Sequence, residues 1–307
     1  TDARSESASP PRLAYLLASP KALVAARART RAERIAWFSS RNDFDAALEL
    51  CDEDERSSGA ADQTETKTRL WSRRDVVVTA YVEHLLRDLR ERARDGSPDA
   101  EKKREALCRL CPRLFRGDAA LWEKWLFRFA RGARGVDAGD DGHALLATIA
   151  PYVPTANPAL KPEAYELILH AFLASPKDHA RFLATVKAWP GFLYGVGGIV
   201  SAARRAVRDA LERAGEDAEA PNTVATLREA LAELYLLDGQ RERALAVLDA
   251  RIAALDADLV AAGADVARAL DLQRQKDEKL AKQALYYDEW ERLESIVARV
   301  AAFDAEL

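Results

Sequence analysis

Cys108 and Cys111, separated by two residues, form the one spacing in this 307-residue chain that suggests a metal or redox site. A structural zinc needs four ligands, and this pair offers two, with no second pair or nearby histidine to complete the set. A thioredoxin-like disulfide needs a strand leading into it and a βαβ setting, which the surrounding sequence lacks. Both thiols are therefore expected to fill the buried side of a helix as small apolar groups. Asp137 to Gly142 has the acidic look of a calcium loop. Gly139, however, stands where a ligand belongs and Thr148 where the bidentate glutamate belongs, so a solvated loop is expected. Gly195-Val196-Gly197-Gly198 precedes a helix, as a phosphate-cradling loop would. No GxGxxG, no Lys-Ser/Thr ending and no strand accompany it. It reads as a turn, with an anion site at the helix start as the alternative.

The histidines His84, His143, His170 and His179 have no Ser, Cys or carboxylate partner at a telling spacing, and no Gly-x-Ser-x-Gly elbow occurs. His170 lies in the apolar stretch Tyr165 to Leu173 and reads as a core or interface group. Arg27, Arg29, Arg31 and Arg34 would suit anionic lipid or an acidic partner. Glu33 among them favours a solvated helix start instead. Trp122 and Trp125 are three apart, the spacing of one helical side, and read as core rather than as a ligand cage. These readings assign no catalytic, cofactor-binding or metal-ligating residue, and no cofactor is expected.

The elements that would position these residues are helical throughout. Ala, Leu, Arg and Glu dominate, while Gly and β-branched residues are sparse, which favours an all-α class. Charged residues make up 31% of the chain yet the net charge is only −4, as solvated helix faces require. A nucleic-acid binder would show a basic excess. Three cysteines make no disulfide framework, which points to a reducing setting. No apolar run reaches the roughly 18–20 residues of a membrane span. Thr1 and the absence of methionine suggest a fragment or a processed chain.

Residues 1–29 read as a flexible tail and linker, with Leu13 to Ala28 extended. Thr30 and Glu33 fit a capping box opening the first helix. Cys51 to Thr68 reads as a flexible acidic insertion. A helix is expected from about Leu70 to Arg94, with Val77, Tyr81, Leu85 and Leu89 four apart along one apolar side. Ser97-Pro98 opens the next helix, and Asp118 caps the tryptophan-bearing one, closed by Arg131-Gly132. Prolines then punctuate: Pro151 and Pro154 end a helix, Pro162 starts one, Ser175-Pro176 separates two, and Pro190 ends another. Further helices are expected over about Gly198–Arg213, Thr223–Leu237 and Arg241–Leu255. From Asp258 the pattern stays helical, with Tyr286, Trp290, Leu293, Val297 and Val300 three and four apart.

Two segments repeat one another. Trp37-Phe38 precede a polar turn and then Ala47-Leu48; Leu234-Tyr235 precede Asp238-Gly239-Gln240 and then Ala244-Leu245, at the same spacing. A small residue beside a large one lets two helices interlock. Recurring helical hairpins indicate an α-solenoid, each unit burying its apolar face on its neighbours.

Residues 19–49 (SPKALVAARARTRAERIAWFSSRNDFDAALE), 106–130 (ALCRLCPRLFRGDAALWEKWLFRFA) and 149–173 (IAPYVPTANPALKPEAYELILHAFL) together resemble the helical region of the vacuolar protein sorting-associated protein 41 family. The likeness continues through WPGFLYGVGGIVSAARRAV (189–207) and LREALAELYLLDGQRERALAVL (227–248). The insertions at Asp52–Thr66 and Ala133–Gly142 depart from the family pattern, and beyond Ile252 the likeness fades. The resemblance implies an elongated α-solenoid of clathrin heavy-chain or TPR-like hairpins over 30–255, with 256–307 continuing or capping it. It also implies an upstream β-propeller, of which 13–28 would be the exit, and a downstream RING-like zinc module. In function it implies a non-catalytic scaffold of the HOPS membrane-tethering complex. Such a scaffold is cytoplasmic, peripheral on late endosome, lysosome or vacuole, and neither binds nucleic acid nor spans the membrane. The implied partners are other HOPS and class C sorting subunits, a late-endosomal Rab GTPase and adaptor-coated carriers. A generic helical-repeat adaptor for peptides, and an enzyme on an α-solenoid frame, are the readings to separate from it.

Overall fold

The computed structural model describes residues 14–19, 22–57, 65–94, 99–131, 140–213, 220–262, 265–287 and 289–306. Internal contacts divide the chain into two units, Thr1–Ala100 and Glu101–Leu307.

The first unit opens on an antiparallel hairpin. Strands β1 (Ala14–Ser19) and β2 (Ala22–Arg27) pair from Ala14 opposite Arg27 to Ser19 opposite Ala22. Consecutive side chains on a strand point to opposite faces, so the exposed neighbours Tyr15 and Leu16 leave apolar groups on both faces of the ribbon. Helix α1 (Arg31–Ser40) starts with the capping box read from Thr30 and Glu33. The Glu33 amide donates to the Thr30 hydroxyl at 3.3 Å, and the Thr30 amide donates to the Glu33 carboxylate at 2.8 Å.

Helix α2 (Phe44–Ser57) and helix α3 (Glu65–Arg94) follow. The acidic stretch Cys51 to Thr68, expected as an insertion, is thus helical at both ends; 58–64 lie outside the described residues. Glu, Arg and Lys are good helix formers, so a polar stretch of this composition continues a helix readily. The buried stripe of α3 also differs from the expected one. Val77, Val78, Val82, Leu86 and Leu89 are buried, whereas Tyr81 and Leu85 are half-exposed. A run of strict fours drifts about 40° per step around a helix of 3.6 residues per turn, and burial follows the turn.

The second unit holds ten α-helices among the described residues. They are α4 (Asp99–Phe115), α5 (Ala119–Ala130), α6 (Asp140–Ile149), α7 (Pro162–Ala174), α8 (His179–Ala188), α9 (Val196–Arg213), α10 (Ala220–Leu237), α11 (Arg241–Ala262), α12 (Val266–Tyr286) and α13 (Trp290–Glu306). Three short 3-10 turns, Ala150–Tyr152, Pro176–Asp178 and Gly191–Leu193, sit at the proline punctuation. From α5 onward the helices pack on near neighbours: α5 on α6 and α7, α7 on α8 and α9, α10 on α8, α9 and α11, and α12 on α11 and α13. The fold is an all-α helical solenoid of the TPR-like kind.

The hairpin turns share one device. After α1, Asn42 adopts φ 61° and the Asp43 amide donates back to the Phe38 carbonyl. After α10, Gly239 adopts φ 73° and the Gln240 amide donates back to the Tyr235 carbonyl. A left-handed residue past the helix end captures the otherwise orphaned carbonyls, and Gly and Asn are the residues that adopt it most readily. Ala47, Leu48, Ala244 and Leu245 are all buried, so the repeated pair performs the same packing twice. Asp118, as expected, caps α5 by accepting from the Leu121 amide at 3.0 Å.

The pattern expected from Tyr286 to Val300 does not survive as one stripe. Helix α12 ends at Tyr286, the Glu289 amide donates to the Ala284 carbonyl, and α13 restarts at Trp290. The turn resets the helical phase, leaving Ala284 and Ile296 buried while Trp290 and Val297 face solvent.

The aromatic core lies where the prolines and tryptophans concentrate. Phe115 meets Trp122 edge-on at 5.0 Å and lies parallel to Trp125 at 6.4 Å, and Trp125 meets Phe129 at 5.9 Å. Trp189 contacts Tyr165 edge-on at 5.3 Å, and the Tyr165 hydroxyl donates to the Pro154 carbonyl at 2.8 Å. Replacing Trp122, Trp125 or Trp189 by Ala is expected to cost about 3–5 kcal/mol each, measured by chemical denaturation. Wild-type stability in all three would show that this cluster is not the core.

Candidate interaction surface

The residues with chemical potential are mostly committed to structure. Cys108 and Cys111 lie on the buried side of α4. Cys108 Sγ approaches the Leu145 carbonyl at 3.9 Å, and Cys111 Sγ lies 3.4 Å from the Leu107 carbonyl. Burial pushes the Cys108 thiol up to about 12 and the Cys111 thiol well above its ordinary value. A thiol that resists ionisation is a poor nucleophile and a poor metal ligand. Among the described residues no group of His, Cys, Asp or Glu is placed to hold a metal ion. Asp137 to Gly139 lie outside the described residues, and Asp140 to Gly142 form the first turn of α6.

The glycine run before α9 is occupied. The Gly195 amide donates to Glu166 Oε1 at 2.8 Å, and a Cβ at Gly195 would stand 2.9 Å from the same oxygen. A carboxylate from α7 thus takes the position that an anion would need. His170 is exposed on α7 rather than in the core, whereas His179 is buried. Burial lowers the pKa of His179 despite the Leu173 carbonyl 3.4 Å from its Nε2. The basic run at α1 is dispersed: Arg27 pairs with Glu33 at 2.5 Å, Arg31 pairs with Glu53 at 2.6 Å, and Arg29 stacks over Trp37 at 5.0 Å.

Two cavities open on the second unit. One, of about 700 Å³, is lined by Glu101, Arg104, His143, Lys177, Asp178 and Arg181. Its charges are mixed, with Arg181 on Asp178 at 3.1 Å, and the Thr148 hydroxyl at its wall donates to the Ala144 carbonyl. The other, of about 670 Å³, is an apolar groove with α10 as its floor and α9 and α11 as its sides. Both flanking helices pack on α10 but hardly on each other, which leaves the cleft open.

At this groove a charge cluster centred on the half-buried Glu229 ties three helices together. Glu229 on α10 accepts from Lys187 of α8 and from Lys279 of α12, both at 2.7 Å. Lys282 reaches Glu233, Lys276 reaches Asp256, and Gln283 reaches Asp249, so α12 carries a ladder of cationic and amide groups onto α10 and α11. Further along, Arg299 of α13 holds the buried Asp277 at 2.6 Å. Burial pushes the Glu229 carboxyl upward, but the two ammonium groups more than offset it and hold it at about 2. None of these residues was singled out from sequence, because their partners lie 42 and 50 positions apart. The spacing of Lys276, Lys279 and Lys282 by threes was the available signal.

Antiparallel helices joined by repeated turns, with an open groove along one face, define a helical-repeat protein of the TPR-like class. Residues 97–259 match the family model described as the Vps41 TPR-like region, and the chain belongs to that family. The vacuolar protein sorting-associated protein 41 homolog of Solanum lycopersicum is 30% identical over 233 residues, covering 76% of this chain and 19% of the relative. The Homo sapiens homolog is 29% identical over 233 residues, with 76% and 22% covered. The Schizosaccharomyces pombe protein is 34% identical over 127 residues, with 41% and 12% covered. The chain thus spans about a fifth of the length of the first two. No solved structure matches it significantly.

Glu229→Gln is expected to destabilise the chain by about 2 kcal/mol at neutral pH, the scale of charge-assisted hydrogen bonds. Because the folded pKa lies below the ordinary value of 4.5, this contribution is complete above about 4.5 and fades as pH falls toward about 2. Denaturation at pH 7, 5 and 3 should show the gap between wild type and variant narrowing on the acid side. A gap independent of pH would refute the bridge. The thiols of Cys108 and Cys111 should resist iodoacetamide in the native chain and react fully once it is unfolded, as mass spectrometry would read.

Proposed function

We propose that the chain is a non-catalytic scaffold region of a HOPS-like membrane-tethering complex, acting in vesicle transport to late endosome, lysosome or vacuole. The observation that carries this reading is the family match over 97–259, which falls on the stacked hairpins of the second unit. A helical-repeat scaffold works by presenting extended surfaces, and its stability comes from the interfaces between neighbouring hairpins. The family is one of vacuolar sorting proteins, as the names of its relatives state.

In the finer reading the solenoid runs over 30–255 and 256–307 continues or caps it. The partners would be other class C sorting subunits, with a late-endosomal Rab GTPase and adaptor-coated carriers engaged by the longer protein. The chain would act at the cytoplasmic face as a peripheral component. In support, no helix among the described residues is long and apolar enough to cross a membrane.

An affinity-tagged chain expressed in cells of its source should co-purify other class C sorting subunits. The Trp125→Ala variant, which loses the core, should recover markedly less. Recovery of no sorting subunit by the folded chain would overturn the reading. Recovery of short peptides alone would favour a peptide adaptor.

A further inference from the structure

We infer that the groove between α9 and α11 is a docking site for an amphipathic helical segment of another protein, with aliphatic side chains on its inner face and acidic residues at its flanks. The inference stands on the groove alone and does not depend on the sorting-complex reading. Its volume of about 670 Å³ suits several buried side chains. Val207 and Leu211 of α9, Val224 and Leu231 of α10 and Val247 of α11 supply apolar lining, and Leu211 stands 47% exposed. The α11 side also carries Ala246, Ala250 and Ala254, four residues apart. Such short side chains admit a backbone closely and leave the bulk to be brought by the occupant. An amphipathic helix brings it at i, i+3, i+4 and i+7.

Charge sets the flanks. Arg228 from α10 and Arg251 from α11 line the groove, and among the described residues neither guanidinium has a carboxylate partner. The nearby carboxylates of these two helices are engaged elsewhere. Glu229 holds Lys187 and Lys279, Glu233 holds Lys282, Asp249 holds Gln283, and Asp256 holds Lys276. Of the charged residues that line the groove, Arg228, Arg251 and Lys279 are cationic and Glu229 alone is anionic, so the rim is net cationic in a chain whose net charge is −4. Acidic flanks complement that rim, and basic flanks would be repelled by it.

The test is a phage-displayed library of random 16-residue helix-forming peptides, selected on the full 307-residue chain. Counter-selection uses an Ala250→Leu variant that fills the groove, with Ala246→Leu as the replacement if the first does not fold. Enriched peptides should carry aliphatic residues at helical spacing and Asp or Glu on both flanks. The best one, made synthetically and followed by fluorescence anisotropy, should lose about tenfold in affinity for both Arg228→Glu and Arg251→Glu. It should also bind more weakly as salt rises. The proposal is overturned by any of four results. These are no enrichment over the filled variant, affinities unchanged by the arginine substitutions, preference for basic flanks, and self-association of the chain that Ala250→Leu abolishes. The last would give the groove to a second copy.

Discussion

The carboxylate of Glu229 holds two ammonium groups at once, and the arrangement of α8, α10 and α12 turns on it. Leucine and alanine faces can slide past one another with little change in buried area. A half-buried carboxylate within 2.7 Å of Lys187 and Lys279 cannot, because displacement would leave desolvated charges unpaired. Lys279 is itself almost fully buried, so Glu229 neutralises a cation that would otherwise be costly at that depth. Once α8 and α12 are registered against α10, the positions of α9 and α11 along its two sides define the groove.

A second constraint acts locally and recurs along the chain. Each helical hairpin must reverse direction while satisfying the carbonyls at the end of its first helix. The α1–α2 and α10–α11 turns solve this alike, with one left-handed residue and an amide reaching back five positions, from Asp43 to Phe38 and from Gln240 to Tyr235. The turn between α4 and α5 uses Arg116 at φ 48° for the same reversal, although Gly117 stands next to it. Turn geometry of this kind fixes how far the aromatic on one helix lies from the Ala-Leu pair on the next. The repeat is therefore visible as a spacing even where the residues themselves differ.

That locality explains which parts of the fold could be read in advance. The capping box at Thr30, the Asp118 cap, the proline boundaries at Pro162 and Pro176 and the burial of Trp122, Trp125 and Trp189 each depend on residues a few positions apart. The stripe of α3, the helical ends of the acidic stretch after Cys51 and the phase of α13 depend instead on which neighbour each face meets. A spacing of fours on α3 does not distinguish Leu85 from Leu86, yet packing buries Leu86 and leaves Leu85 half-exposed. The site behaves in the same way. Cys108 and Cys111 could be placed on the buried side of a helix from their local spacing, whereas the Glu229 cluster joins segments up to 50 residues apart.

The stabilising charges and the open cleft are two sides of one arrangement. Helix α12 spends its lysines on carboxylates of α10 and α11, a use that fixes the register of the stack. The same pairing engages Glu229, the one carboxylate that lines the groove, where Arg228 and Arg251 stand beside alanine, valine and leucine. A solenoid that satisfied every charge internally would present a neutral surface and could select a partner only by shape. Here the internal pairing itself creates an unbalanced rim around an apolar floor. Shape and sign are then offered together, and a scaffold without reactive chemistry gains specificity from both.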